Sequence, residues 1–378
     1  MKVSRPGRTA GLALCGALAL SACGTDSNSP PSSAPAGGGG ASGGASSGAG
    51  GGAGCATGSL TASGSTAQKN AMADFTKAYQ TKCSGATVNY QATGSGAGII
   101  AFSSKQVDFA GSDSALKPEE QPKADARCGS GKAINLPMVT GPVALAYNLS
   151  GVDSLVLDAP TTADIFAGKI SMWNDPAIAK LNSGAKLPGT KIQPFHRSDE
   201  SGTTDNFQKY LTAAAPQAWT FGVGKKFGAP GGQSAAKSDG VTQAVKSNDG
   251  AITYVEKSFA DNASLGVVKI ATGASAPVEL TAETAGKAVE AAKVVGTGKD
   301  LALKLDYATK ADGAYPLILV TYEIVCEQGN DPAKLPLLKG FLGYTSSTAG
   351  QSTLKDLGYA PLPESIRSKV ETTAAALG

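Results

Sequence analysis

Two apolar, β-branched runs limit the fold of this chain most strongly: residues 138–148 (MVTGPVALAYN) and 316–322 (PLILVTY). Unbroken runs of this kind read as central strands covered on both faces, not as the alternating strands of a sheet with one wet side. Each is long enough to leave one sheet and enter another, and a large part of the chain lies between them. They therefore read as two crossings between domains. This predicts a discontinuous first domain, residues 55–146 plus 316–378, and an inserted second domain, residues 147–315. The roughly 320 residues from position 55 onward are enough for two such cores. Shorter elements alternate around the crossings. Residues 86–91 (ATVNYQ) and 107–110 (VDFA) read as strands and 98–105 as the start of a helix; helical periodicity appears at 66–81, 205–213, 332–342 and from Glu364 onward. The fold class is α/β with mixed sheets.

The N-terminus carries a different message. Lys2, Arg5 and Arg8 precede an apolar run from Gly11 to Leu20, which ends in Leu20-Ser21-Ala22-Cys23. The order is that of a secretory signal, residues 1–22, closing on a lipobox, and the apolar run is shorter than the roughly 20 residues a permanent span requires. Cleavage before Cys23 is expected, with a diacylglycerol on its thiol. Residues 24–54 are almost entirely Gly, Ser, Ala and Pro, with a single charge, Asp26, and no large apolar side chain. Such a tract buries too little to offset its ordering entropy and reads as a tether spanning about 30 Å. The expected location is extracytoplasmic, at a membrane surface, as a monomer. Loss of the signal's three cations leaves equal numbers of basic and acidic residues, so nothing in the charge favours a nucleic-acid partner.

Four further cysteines follow the tether: Cys55, Cys83, Cys128 and Cys326. An even number in an oxidising location argues for two disulfides. Three pairings are possible; Cys55 with Cys83 and Cys128 with Cys326 is the favoured one. No metal and no cofactor is expected. No two cysteines stand in a C-x-x-C spacing, and the single histidine, His196, reads as structural.

Four polar segments follow apolar stretches and open helices. Ser65-Thr66-Ala67 follows Ser59-Leu60-Thr61, with Thr66 placed to cap the helix. Thr93-Gly94-Ser95-Gly96-Ala97-Gly98 lets backbone N–H groups converge. It is no dinucleotide fingerprint, because Ile99 stands where the last glycine belongs, and no nucleophile elbow, because Thr93 replaces the first glycine. Asp113 ends the short strand at 107–110, where ligands of α/β sheets sit. The last and richest segment runs from Arg197 to Thr204 (RSDESGTT): an Arg, several hydroxyls and the N-terminus of the next helix outline an anion site, with Asp199 able to hold Arg197.

Taken together, SLTASGST, VNYQATGSGAGI, QVDFAGSDSAL, IFAGKISMWNDPAIAKLN, HRSDESGTT, GAITYVE and YAPLPESI resemble the phosphate-binding proteins of the Pst uptake transporter along nearly all of the chain beyond the tether. The resemblance implies a two-domain periplasmic-binding-protein type II fold with inorganic phosphate in the interdomain cleft, delivered to a membrane permease of an ABC transporter, and no enzymatic activity. It assigns phosphate contacts to Ser65, Thr66 and Ala67, to Ser95, to Asp113, and to Arg197, Ser201, Gly202 and Thr203, with Asp199 behind Arg197. Many relatives have Phe where this chain has Ala67; the contact there is a main-chain N–H, so the donor persists. The remaining alternatives are a binder of another tetrahedral oxyanion, such as sulfate, and a hydrolase. A hydrolase needs a metal cluster or a nucleophile with its base.

Overall fold

A computed structural model describes residues 55–378; the expected signal, Cys23 and the tether lie outside the described residues. The main sheet is built around one strand, Ala133–Asn148, which is buried along almost its whole length. At about 3.3 Å per residue it is some 50 Å long. Residues 133–142 pair antiparallel with Ile318–Cys326, and from Val143 onward the strand pairs instead with Ala251–Glu256. The sheet thus changes neighbours at Pro142 and Val143. On the first side the order continues through Phe109–Ser112 and Gly58–Gly64 to Ala86–Ala92; on the second it continues through Gln193–Arg197 to Gln233–Ala235.

A separate core packs against each part of this sheet. One gathers Leu60, Phe75, Phe109, Leu136, Phe341 and Val370, and the other Leu145, Phe166, Trp173, Phe207, Trp219 and Tyr254. The second is bound by aromatic contacts, with Phe207 stacked on Tyr254 at 4.3 Å between centroids. Among the described residues no helix is long and apolar enough to cross a membrane.

Some elements depart from the sequence reading. The second crossing strand begins at Ile318, past Pro316, and runs to Cys326 rather than ending at Tyr322. A carboxylate normally closes a buried strand, but Glu323 lies inside this one with no exposure. The strand read at 107–110 lies at Phe109–Ser112, and the helix read from 98 starts at Ser95. The helix read from Thr66 is Lys69–Lys82, with Gln68 at its N-cap and no side-chain cap. Thr66 is therefore not a capping residue. The chain makes a turn over residues 66–68 first, and this frees the threonine hydroxyl for another contact.

Cys55 pairs with Cys83, which ends the helix Lys69–Lys82, and Cys128 pairs with Cys326 across 198 residues of chain. The second cross-link closes the longer loop and constrains the unfolded chain more. Replacing Cys128 and Cys326 by serine is expected to lower stability by about 2–5 kcal/mol, read as a shift in the urea midpoint under non-reducing conditions.

Candidate functional site

The polar segments singled out in the sequence meet in one place. All four leave the carboxyl ends of strands, Gly58–Gly64, Ala86–Ala92, Phe109–Ser112 and Gln193–Arg197, where α/β sheets open onto ligands. Two glycines make the approach possible. Gly64 has φ +141°, and a Cβ there would fall on the Gly111 carbonyl. A Cβ on Gly202 would lie 2.6 Å from Ser95 Oγ and 2.5 Å from Asp113 Cβ, so only glycine lets the helix Gly202–Ala214 abut them.

Asp113 is the centre of one half of the cluster. Its Oδ1 accepts from Ser65 Oγ at 2.5 Å and from Thr321 Oγ1 at 2.7 Å, and its Oδ2 accepts from Ser95 Oγ at 3.0 Å. Burial raises its pKa, and the three hydroxyls, together with the positive charge of Arg197, work against that rise. Ser65 Oγ also accepts from the Ala67 N–H at 3.0 Å, so in this arrangement the main-chain donor at Ala67 is turned inward.

Arg197 is the centre of the other half. Its guanidinium is forked onto Asp199, Nε to Oδ1 at 2.8 Å and Nη2 to Oδ2 at 2.5 Å, while Nη1 points to Ser238 Oγ at 3.3 Å. Burial would lower the Arg197 pKa, but the hydrogen bonds and charge of Asp199, with Glu256 beyond, hold it above its usual value. Burial likewise pushes Asp199 up, and Arg197 and the Lys237 N–H more than reverse it. Ser201 caps the helix Gly202–Ala214 by accepting from Thr204 N. Thr203 Oγ1 donates to Glu256 Oε1 at 2.5 Å.

The halves touch directly. Thr66 Oγ1 and Ser238 Oγ are 2.8 Å apart, Gly202 N donates to Ser95 Oγ at 3.2 Å, and Asn206 Nδ2 donates to the Asp113 carbonyl at 2.7 Å. Two ion pairs reinforce the contact, Lys225 with Glu120 at 2.6 Å and Lys69 with Asp239 at 2.9 Å. Ser65, Thr66, Ser95, Asp113, Arg197, Ser201 and Thr203 are each no more than 3 % exposed.

Every residue named from the sequence for this site lies in the cluster or directly against it. His196 does not join it; the ring stacks on Phe227 at 4.2 Å between centroids. Three residues of the cluster escaped the sequence reading. Ser238, in the first turn of the helix Lys237–Lys246, donates to Glu256 Oε2 at 2.8 Å and also contacts Thr66 and Arg197. A signal for it existed, since Lys237-Ser238-Asp239 opens a helix after a strand as the other segments do. Glu256 ends the strand Ala251–Glu256 with no exposure, and Thr321 is a lone hydroxyl within an apolar run.

The cluster holds one arginine and three carboxylates, Asp113, Asp199 and Glu256, so an anion here cannot rely on opposite charge alone. The helices Lys69–Lys82, Ser95–Ser103, Gly202–Ala214 and Lys237–Lys246 all begin at or near the cluster, and each N-terminus carries about half a positive charge. The chemistry on offer is recognition of a small oxyanion by converging N–H groups, hydroxyls and one guanidinium, with a carboxylate as acceptor.

Comparison with known proteins gives the family and the fold. Residues 49–348 match the PBP superfamily domain. The chain is 46 % identical over 380 residues to the phosphate-binding protein PstS 3 of Mycobacterium leprae (strain TN), covering all of both chains. It is 43 % identical over 382 residues to the phosphate-binding protein PstS 2 of Mycobacterium tuberculosis (strain ATCC 25618 / H37Rv), again covering all of both. In fold it is similar to the crystal structure of a phosphate-binding protein from Stenotrophomonas maltophilia, with a TM-score of 0.63 at 20 % identity, covering 84 % of this chain and 94 % of that one. The chain belongs to the PBP superfamily and, within it, to the family of PstS phosphate-binding proteins.

Proposed function

We propose that this protein captures inorganic phosphate outside the cytoplasmic membrane and delivers it to the permease of an ABC transporter, as a binding protein and not an enzyme. The observation that carries this reading is Asp113, a buried carboxylate ringed by three donating hydroxyls in a cluster that also holds Arg197. A carboxylate beside an anion repels it unless the anion brings a proton. Both the mono- and dibasic forms of phosphate do, and at neutral pH sulfate does not. Phosphate is therefore the tetrahedral oxyanion this site suits, bound by Ser65, Thr66, Ala67, Ser95, Asp113, Arg197, Ser201, Gly202 and Thr203, with Asp199 orienting Arg197.

In this reading residues 55–146 with 316–378 form one lobe and 147–315 the other. The contacts between Thr66 and Ser238 and between Ser95 and Gly202 are those of lobes closed upon each other, and the two crossing strands act as the hinge. Processing before Cys23, a lipid on its thiol and the tether beyond it keep the protein, as a monomer, at the outer face of the membrane near its permease. The basic N-terminus, the lipobox and the composition of residues 24–54 support this arrangement.

Equilibrium dialysis with labelled phosphate, run beside an assay of phosphate-ester hydrolysis, tests the reading. The expected result is saturable binding of one phosphate per chain with no turnover of the ester. Hydrolysis lost on substitution of Asp113 or Arg197 would point to a hydrolase instead.

A further inference from the structure

Glu323 lies directly behind the phosphate cluster, on the strand Ile318–Cys326, opposite Gly111 and fully buried. Neither of its carboxyl oxygens has a hydrogen-bond partner, and neither does Oε1 of the buried Gln68 beside it. The space that a Cβ on Gly111 would need is taken by Gln68 Nε2 and the Tyr90 hydroxyl. Buried acceptors without donors cost about 1–3 kcal/mol each, and more when charged. The surrounding bonds show which hydrogen is missing. Tyr90 Oη donates to the Ser65 carbonyl at 2.8 Å, so at 3.1 Å it accepts from Gln68 Nε2. That fixes the amide with Oε1 as a free acceptor. One proton on Glu323 gives Gln68 Oε1 its donor and removes the charge that makes an unpartnered Glu323 oxygen most costly.

We propose that Glu323 is held as the neutral acid and donates to Gln68 Oε1, and that this proton positions residues 65–67 of the phosphate site through Gln68, Tyr90 and the Ser65 carbonyl. The inference rests on the phosphate reading for its effect on affinity, though not for the proton itself. Burial pushes the Glu323 carboxyl up to about 8 and the negative charge of Asp113 adds to the rise; only the Gln68 amide N–H, which favours the ionised acid, works against it, and burial outweighs it. The other groups facing this space do not compensate an ionised Glu323. Tyr90 is raised well above its usual value, chiefly by burial and then by Glu323, and Tyr359, which faces Tyr90, is raised as well; both stay neutral. Arg197 acts on Asp113 rather than on Glu323. As pH rises through about 8, Glu323 therefore ionises behind Asp113, the donation to Gln68 is lost, and phosphate binding weakens.

The test is phosphate titration calorimetry from pH 7 to 9 on the full protein and on Glu323→Gln, whose amide donates to Gln68 without titrating. Phosphate's own ionisation is common to both, so the ratio of affinities isolates Glu323. Wild-type affinity is expected to fall about tenfold relative to E323Q by pH 9. Infrared difference spectra of the two proteins at pH 7 should show a non-ionised carboxyl band in the wild type that disappears by pH 9.5. A flat affinity ratio, or no such band, overturns the proposal. If neither protein binds phosphate, the functional reading fails and the infrared result alone decides the proton. If E323Q does not fold, the band is followed in wild-type protein carrying isotope-labelled glutamate: its loss between pH 7 and 9.5 supports the proposal, and its absence overturns it.

Discussion

Replacing Arg197 by alanine is expected to weaken phosphate binding by about a hundredfold to ten-thousandfold. The guanidinium is 3 % exposed and is the one cation at the centre of a cluster that also holds Asp113, Asp199 and Glu256. Its loss removes up to two charge-assisted hydrogen bonds to the ligand, worth about 1.5–3 kcal/mol each, and leaves three carboxylates around an incoming anion. Arg197→Lys should fall between the two. An ammonium keeps the charge but cannot fork onto Asp199 while also reaching toward Ser238 and the ligand. Titration calorimetry measures the effect, with circular dichroism to establish that the variant is folded, because breaking a buried pair also costs stability. An alanine variant that binds within tenfold of wild type would remove Arg197 from the site.

Asp113→Asn is expected to change selectivity more than affinity. In the wild-type site a sulfate would set an unprotonated oxygen against the Asp113 carboxylate, and leaving a buried charged group unmatched costs at least about 1–3 kcal/mol. Sites built on a required hydrogen bond reject analogues that lack it by about 10⁴. Asparagine removes the negative charge and supplies an N–H where the ligand's proton was accepted. Its Oδ1 can still accept from Ser65 and Thr321, so the local scaffold is kept. The phosphate-to-sulfate affinity ratio should drop by about a hundredfold or more. Competition of sulfate against labelled phosphate reads this directly.

Much of the cluster was legible in the sequence because its groups sit where local rules place them. Thr93 to Gly98, Asp113 and Arg197 to Thr204 each follow a strand and open a turn or helix, so chain order alone placed them at the mouth of a sheet. Apart from Ser238, whose local signal was present, the residues that were missed are those whose role depends on contacts far along the chain. Thr321 lies 208 residues from Asp113, and nothing in PLILVTY shows which carboxylate its hydroxyl meets. Glu256 and Glu323 follow a different logic. An acid after an apolar run looks like an exposed strand end; Glu256 does end its strand and Glu323 lies inside one, and only the assembled sheet shows that each is enclosed. Thr66 shows the opposite error: the capping pattern was present, but the turn before Lys69 turned its hydroxyl toward Ser238 instead.

The most direct measurement of the central claim is calorimetric titration of the purified protein with phosphate at neutral pH, repeated in a large excess of sulfate. The account predicts one tight phosphate site per chain whose affinity is unmoved by sulfate beyond the effect of ionic strength. Phosphate binding displaced by sulfate at comparable concentration, or no phosphate binding by the folded protein, would contradict it.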